Sequence, residues 1–140
     1  MKESADKTEA TYKDGAEGLS ARRIGRGDAA RHASGYFQAD VELEATFGTT
    51  TELEGFINNF RPAEGEKGTE HVSSSWDVDL KGTTADFASA LTATDNSDAT
   101  WTANAYGGST TERPKGIHGT FNTNFDNDNG KAWGVYHTER

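Results

Sequence analysis

Between Gly35 and Gly48 apolar and polar residues alternate. Phe37, Ala39, Val41, Leu43, Ala45 and Phe47 are separated by Gln38, Asp40, Glu42, Glu44 and Thr46. Side chains of a strand point alternately to opposite faces, so this spacing predicts a long strand with one dry face and one acidic, wet face. On a helix the same six apolar residues would scatter around the whole circumference. Period-two patterning recurs downstream. LEGFINNF, Leu53 to Phe60, reads as a strand; in WDVDLKG, Trp76, Val78 and Leu80 alternate with Asp77, Asp79 and Lys81. ATWTANAY, Ala99 to Tyr106, puts Trp101, Ala103 and Ala105 on one face. GIHGTFNTNF, Gly116 to Phe125, sets Ile117, Gly119 and Phe121 against His118, Thr120 and Asn122, and KAWGVYHT closes the chain.

Upstream, Thr8 to Ile24 reads as a polar strand bent at Gly15 and Gly18, and Gly25 to Ser34 as a turn or loop. Arg61 to Ser74 is the longest loop, with almost no apolar content. DFASALTA, Asp86 to Ala93, is a weaker strand that also fits a helical turn. Asn129-Gly130 suits a primed hairpin turn. Residues 1–7 are expected to be a disordered tail, and 8–140 a single domain of eight strands joined mostly by short turns. Such strands, wet on one face, either stack as two sheets or curl into a barrel. Closure removes exposed edges, and small residues on the inward face (Ala39, Ala45, Gly55, Ala103, Gly119) suit a narrow interior. The predicted fold is all-β: an eight-stranded antiparallel up-and-down β-barrel with a filled interior, a sandwich being the alternative.

Composition fits a thin shell. Only 32% of the 140 residues are strongly apolar, and sixteen glycines stand against two prolines. Fourteen basic against 23 acidic residues give a net charge of -9. That balance disfavours nucleic acid, whose binding rests on clustered Lys and Arg, and disfavours an anionic membrane surface. The absence of cysteine excludes disulfides, thiolate zinc sites and thiol catalysis. No apolar run approaches the roughly 20 residues of a spanning helix, so no membrane insertion by such a helix is expected. The start, MKESADKTEA, lacks the apolar middle of a signal peptide.

The ordered set ASGYFQADVELEATFG, LEGFINNF, WDVDL, WTANAYG and PKGIHGTFNTNF, followed by a closing strand, resembles the β-barrel domain of transferrin-binding-protein-B-like surface lipoproteins of Gram-negative bacteria. The resemblance spans roughly Thr8 to Tyr136. It implies an eight-stranded barrel on a secreted or outer-membrane-attached protein exposed to the extracellular side, and a role in iron acquisition. Three features depart from the family. This stretch contains neither a handle domain nor a lipid-bearing cysteine, so any anchor is expected elsewhere. The closing strand carries Tyr136 and His137 where the family tends to have small and aromatic residues around glycine. Barrels of this kind also serve unrelated roles, so the fold carries over better than the ligand.

Candidate chemistry is sparse. Ser, His and Asp are spread over loops without a nucleophile-elbow pattern, so no enzyme is expected. The carboxylates of Asp40, Glu42 and Glu44 read as solubilising charge on the wet face. Asp126 to Gly130 fails the calcium-loop test, because glycine falls fifth and His137 twelfth; Asp95, Asn96 and Asp98 read as a similar turn. His32 and His71 fall in loops and His118 and His137 face outward, with no pair at metal spacing. Haem, metal and other cofactors are therefore not expected. Trp76, Trp101 and Trp133 are expected inside as core. The remaining candidates for partner binding are the basic cluster Arg22, Arg23, Arg26 and Arg31, and the pair Phe56 and Phe60. The cluster either meets an acidic partner or, the reading favoured by the neighbouring carboxylates, neutralises the acidic strand beside it. Those two phenylalanines share a parity with Glu52 and Glu54 and so face out, unless a bulge returns Phe60 to the core.

The expected function is non-enzymatic: a binding module of a secreted or surface-attached bacterial protein that recognises a protein partner, an iron carrier or haem source by the resemblance, through loops or outer wall. A lipocalin-like carrier of a small apolar ligand and a structural spacer in an extracellular assembly are the alternatives.

Overall fold

The computed structural model describes residues 9–25, 30–47, 51–84, 91–93, 99–107, 114–125 and 129–140. Eight strands follow one another: β1 (Glu9–Ile24), β2 (Arg31–Thr46), β3 (Thr51–Pro62), β4 (Val78–Thr84), β5 (Leu91–Ala93), β6 (Ala99–Tyr106), β7 (Gly116–Phe125) and β8 (Gly130–Glu139). No helix occurs among the described residues. All pairings are antiparallel, in the order β4-β3-β2-β1-β8-β7-β6-β5, so β1 lies at the centre, between β2 and β8. The all-β, up-and-down antiparallel architecture is as the alternation predicts. β2 starts at Arg31 rather than Gly35, because Arg31 to Ser34 pair with Ala21 to Ile24.

The expected closed barrel is corrected. The sheet is curled, and its two terminal strands approach one another. Among the described residues, however, no ladder joins β4 to β5. These are the shortest strands, of seven and three residues. So few backbone groups cannot offer the row of bonds that holds β1 to β2 over sixteen residues. The curl is open at this seam.

Its concave face is filled. Tyr12, Phe37, Val41, Leu43, Ile57, Leu80, Ile117, Phe121 and Tyr136 are buried there, with Ala39, Ala45, Ala103 and Ala132 between them. Each large apolar side chain removed from water contributes about 1.5–3 kcal/mol. Glycine decides how the rings fit. Gly18 of β1 faces Gly134 of β8, and a Cβ on either would overlap backbone of the other strand. Phe37 flanks this pair from β2 and Phe121 from β7. Their rings meet edge-on across the space the glycines leave, with centroids 6.0 Å apart. At Gly119 a Cβ would strike the Thr102 carbonyl. Tyr136, directly across from Gly119, donates its hydroxyl to that carbonyl at 2.8 Å, while the Thr120 amide donates to the Thr102 hydroxyl at 3.0 Å. Burial pushes the Tyr136 phenol well above its ordinary value.

The segment 63–77 between β3 and β4 folds back over one end of the curl. Trp76 stacks on Phe125 at 4.4 Å and meets Phe60 edge-on, sealing that end with aromatic rings. The expectation of a plain polar loop therefore needs amending: His71 and Val72 are buried. Polar burial is offset by hydrogen bonds. Ser20 donates to the His71 carbonyl, and His71 Nε2 lies 2.8 Å from the Tyr36 carbonyl. The Tyr36 amide donates to Glu66 Oε2 at 3.0 Å.

Candidate functional site

Leu19, on β1, pairs directly with Tyr36 on β2 and with Trp133 on β8, and all three side chains point away from the core. Val135 extends the run two residues along β8. These four are the exposed large apolar residues among those described: Tyr36 is 59% exposed, Val135 50%, Trp133 39% and Leu19 38%. Side chains directly opposite on neighbouring strands lie close enough to form one surface. The run is therefore a continuous apolar strip across the three central strands. Single exposed apolar residues are ordinary; a contiguous group on an otherwise acidic surface marks contact with something else.

The strip is held firmly. Both backbone polar groups of Tyr36 are bonded to segment 63–77: the amide to Glu66, the carbonyl to the Ala63 amide and to His71. Beside the strip the outer wall is hollowed into an open groove of about 730 Å³. Gly18, Phe37 and Gly134 form its floor; Tyr36, Gln38, Glu17 and Val135 border it; Ala63, Glu64, Gly65 and Glu66 form its far wall. Among the described residues, three carboxylates line this groove and no lysine or arginine does.

A second group of polar side chains lies on the outer wall at the opposite end. His137 Nδ1 is 3.5 Å from the Asp14 carboxylate, and its Nε2 is 2.8 Å from the Tyr106 hydroxyl. His118 pairs across from His137, and the Tyr106 ring lies alongside both imidazoles. Desolvation, and then the Glu139 and Asp14 carboxylates, raise the Tyr106 phenol above its ordinary value, so it stays neutral. Within this group Asp14 and His137 are both exposed to water. Among the described residues, no group of three or more acidic or histidine side chains is arranged to hold a metal ion. No helix there is long and apolar enough to cross a membrane.

The predicted partner residues are dispersed. Arg22 turns its guanidinium to the carbonyls of Glu70 and Val72, and Arg31 pairs with the Glu70 carboxylate, so both anchor segment 63–77. Arg23 is exposed, its amide bonded to the Asn129 carbonyl. Arg26 lies outside the described residues, as do Asp95, Asn96, Asp98 and most of the Asp126–Gly130 turn. Phe56 is on the outer face and half-buried. Phe60 is a correction, being 1% exposed. Asn59 and Phe60 together stand opposite Ala39, a bulge in which Asn59 takes a φ of 57°. Asp40 clamps this bulge by accepting from Asn59 Nδ2 at 2.8 Å and Arg61 Nη1 at 3.1 Å. His118 and His137 face outward as expected, whereas His71 is inside and His32 lies in β2.

Trp133 is the main correction: it faces water, while Trp76 and Trp101 are core. The inward positions of β8 are Gly130, Ala132, Gly134, Tyr136 and Thr138. A signal was present in the sequence. Lys131, His137 and Glu139 share the parity of Trp133, and three hydrophilic residues define that face as the wet one. Leu19 likewise shares parity with Lys13, Glu17 and Arg23. Comparison of the chain with models of known protein families, with curated proteins and with solved structures returned no match.

Proposed function

We propose that this chain is a non-enzymatic binding module that recognises a protein partner through the outer wall formed by β2, β1 and β8. The observation that carries the reading is the in-register run of Tyr36, Leu19 and Trp133, exposed on strands whose other faces hold a packed core. An aromatic strip on a rigid wall offers large contact area at little entropic cost, as anchoring residues of interfaces do. The interior supports the lipocalin-like alternative poorly, because ring meets ring among Phe37, Phe60, Phe121, Trp76 and Phe125. The resemblance to transferrin-binding-protein-B-like barrels supplies the setting, a secreted or surface-attached bacterial protein, and the first partners to try, namely iron-carrier proteins.

The test compares immobilised wild-type protein with a Tyr36→Ser/Trp133→Ser variant of unchanged melting temperature, each challenged with purified iron carriers and haem proteins. The reading expects a protein retained by the wild type and lost from the variant. Equal retention by both, or retention by neither, overturns it.

A further inference from the structure

The groove beside the strip carries information about the partner. Its carboxylates, Glu17 on β1 and Glu64 and Glu66 in segment 63–77, come from two separate parts of the chain. Glu66 is engaged by the Tyr36 amide. Among the described residues, no cation lies within ion-pair distance of Glu17 or Glu64. On the same wall Asp40 has Arg61 and Glu42 has Lys13, whereas Glu44, Glu52 and Glu54 have no cation among the described residues either. What sets Glu17 and Glu64 apart is that they share a hollow with Glu66 and Tyr36. Acidic and aromatic groups thus border one hollow, with the Tyr36 ring at its edge. A cationic side chain placed there would meet carboxylates and a ring face together, and both attract it.

We infer that the groove receives a lysine or arginine side chain of the partner, and that the bound segment is basic, with a neighbouring apolar residue lying on Leu19 and Trp133. The inference rests on the binding role proposed above and adds the chemistry of what is bound. A second copy of this chain is the less favoured occupant. Each copy carries a net charge of -9, and a symmetric contact on this wall would set like-charged grooves side by side.

Trp133 supplies the readout, because it is the exposed tryptophan among the three, and Trp76 and Trp101 are buried. The probes are a capped Lys-Phe-Lys-Leu-Lys peptide and its Glu-Phe-Glu-Leu-Glu counterpart, titrated at low salt while tryptophan emission is followed. The inference expects only the lysine peptide to shift the emission. Glu17→Gln/Glu64→Gln should weaken its binding about tenfold. Glu52→Gln/Glu54→Gln, the same charge change on β3 outside the groove, should weaken it less than twofold. Equal weakening by the two double variants means attraction by net charge alone and overturns the inference. Equal binding of both peptides, abolished by Leu19→Ser/Tyr36→Ser with Trp133 kept as the probe, also overturns it while leaving the strip as a binding surface. If neither peptide binds and sedimentation shows a dimer lost in Trp133→Ala, the occupant is a second copy. If neither binds and the protein is monomeric, the binding role falls with the inference.

Discussion

The two faces of the central wall, built by the same three strands, treat aromatic residues in opposite ways. Phe37 is fully buried and meets Phe60 and Phe121, while its neighbour Tyr36 stands in water above the groove. Across the wall, Gly134 faces inward and leaves room for rings, and its neighbour Trp133 faces outward. Inside, the large side chains described pack against one another. Outside, the strip of Tyr36, Leu19, Trp133 and Val135 is exposed. Stability accounts for the inner set; the outer set costs solubility and adds little to folding, so its presence calls for another role.

That contrast can be broken most severely within one dipeptide. Val41→Asp places a carboxylate in the core beside Leu43 and Ile57 with no partner for its charge, and should cost about 4 kcal/mol or more and unfold the domain. Glu42→Lys, one residue away on the wet face, should cost under about 1 kcal/mol, mainly by repelling Lys13. Urea titrations of the two variants separate the faces, and equal tolerance would mean they are assigned wrongly. Next in size, Phe37→Ala removes the ring that packs on Phe60 and Phe121 and should lower the unfolding free energy by about 3–5 kcal/mol. A loss below about 1 kcal/mol would mean that the concave face is loosely filled.

Tyr136→Phe sharpens the comparison at smaller cost. Loss of the bond to the Thr102 carbonyl should cost about 1 kcal/mol near neutral pH. The pH dependence has a definite sign. Burial keeps the folded phenol protonated, whereas the unfolded phenol ionises near its ordinary value of about 10. Above that pH the unfolded state binds fewer protons, so stability declines as pH rises. Melting temperatures measured from pH 8 to pH 11 should therefore fall more steeply for the wild type than for Tyr136→Phe. Parallel slopes would show that Tyr136 does not titrate as a buried group.

The sequence made β2 readable because from Phe37 to Thr46 every buried residue is apolar and every residue between them is polar or charged. β8 was harder to read for a physical reason: three of its interior positions, Gly130, Ala132 and Gly134, are small, and Gly134 has to be so for Phe37 and Phe121 to meet over it. The residue with the largest apolar area, Trp133, therefore marked the wrong face. Phe60 lies inside because one bulged residue, Asn59, reverses the alternation after it; the sequence leaves that bulge open but does not show where it falls. Segment 63–77 looked like solvent-exposed loop because His71 is buried through hydrogen bonds to β1 and β2, a long-range arrangement that leaves no periodic trace. The same reasons hid the candidate site, since Leu19 and Tyr36 are each the lone large apolar residue on the outer face of their own strand. They become one surface only once β2, β1 and β8 are set in register.

The most direct measurement is iodide quenching of tryptophan fluorescence in the wild type and in Trp133→Phe. With Trp76 and Trp101 buried and Trp133 on the outer wall, the wild type should show a quenchable, red-shifted fraction that disappears in the variant. A quenchable fraction that persists unchanged in Trp133→Phe would place Trp133 inside and contradict the division between the sealed face and the open one.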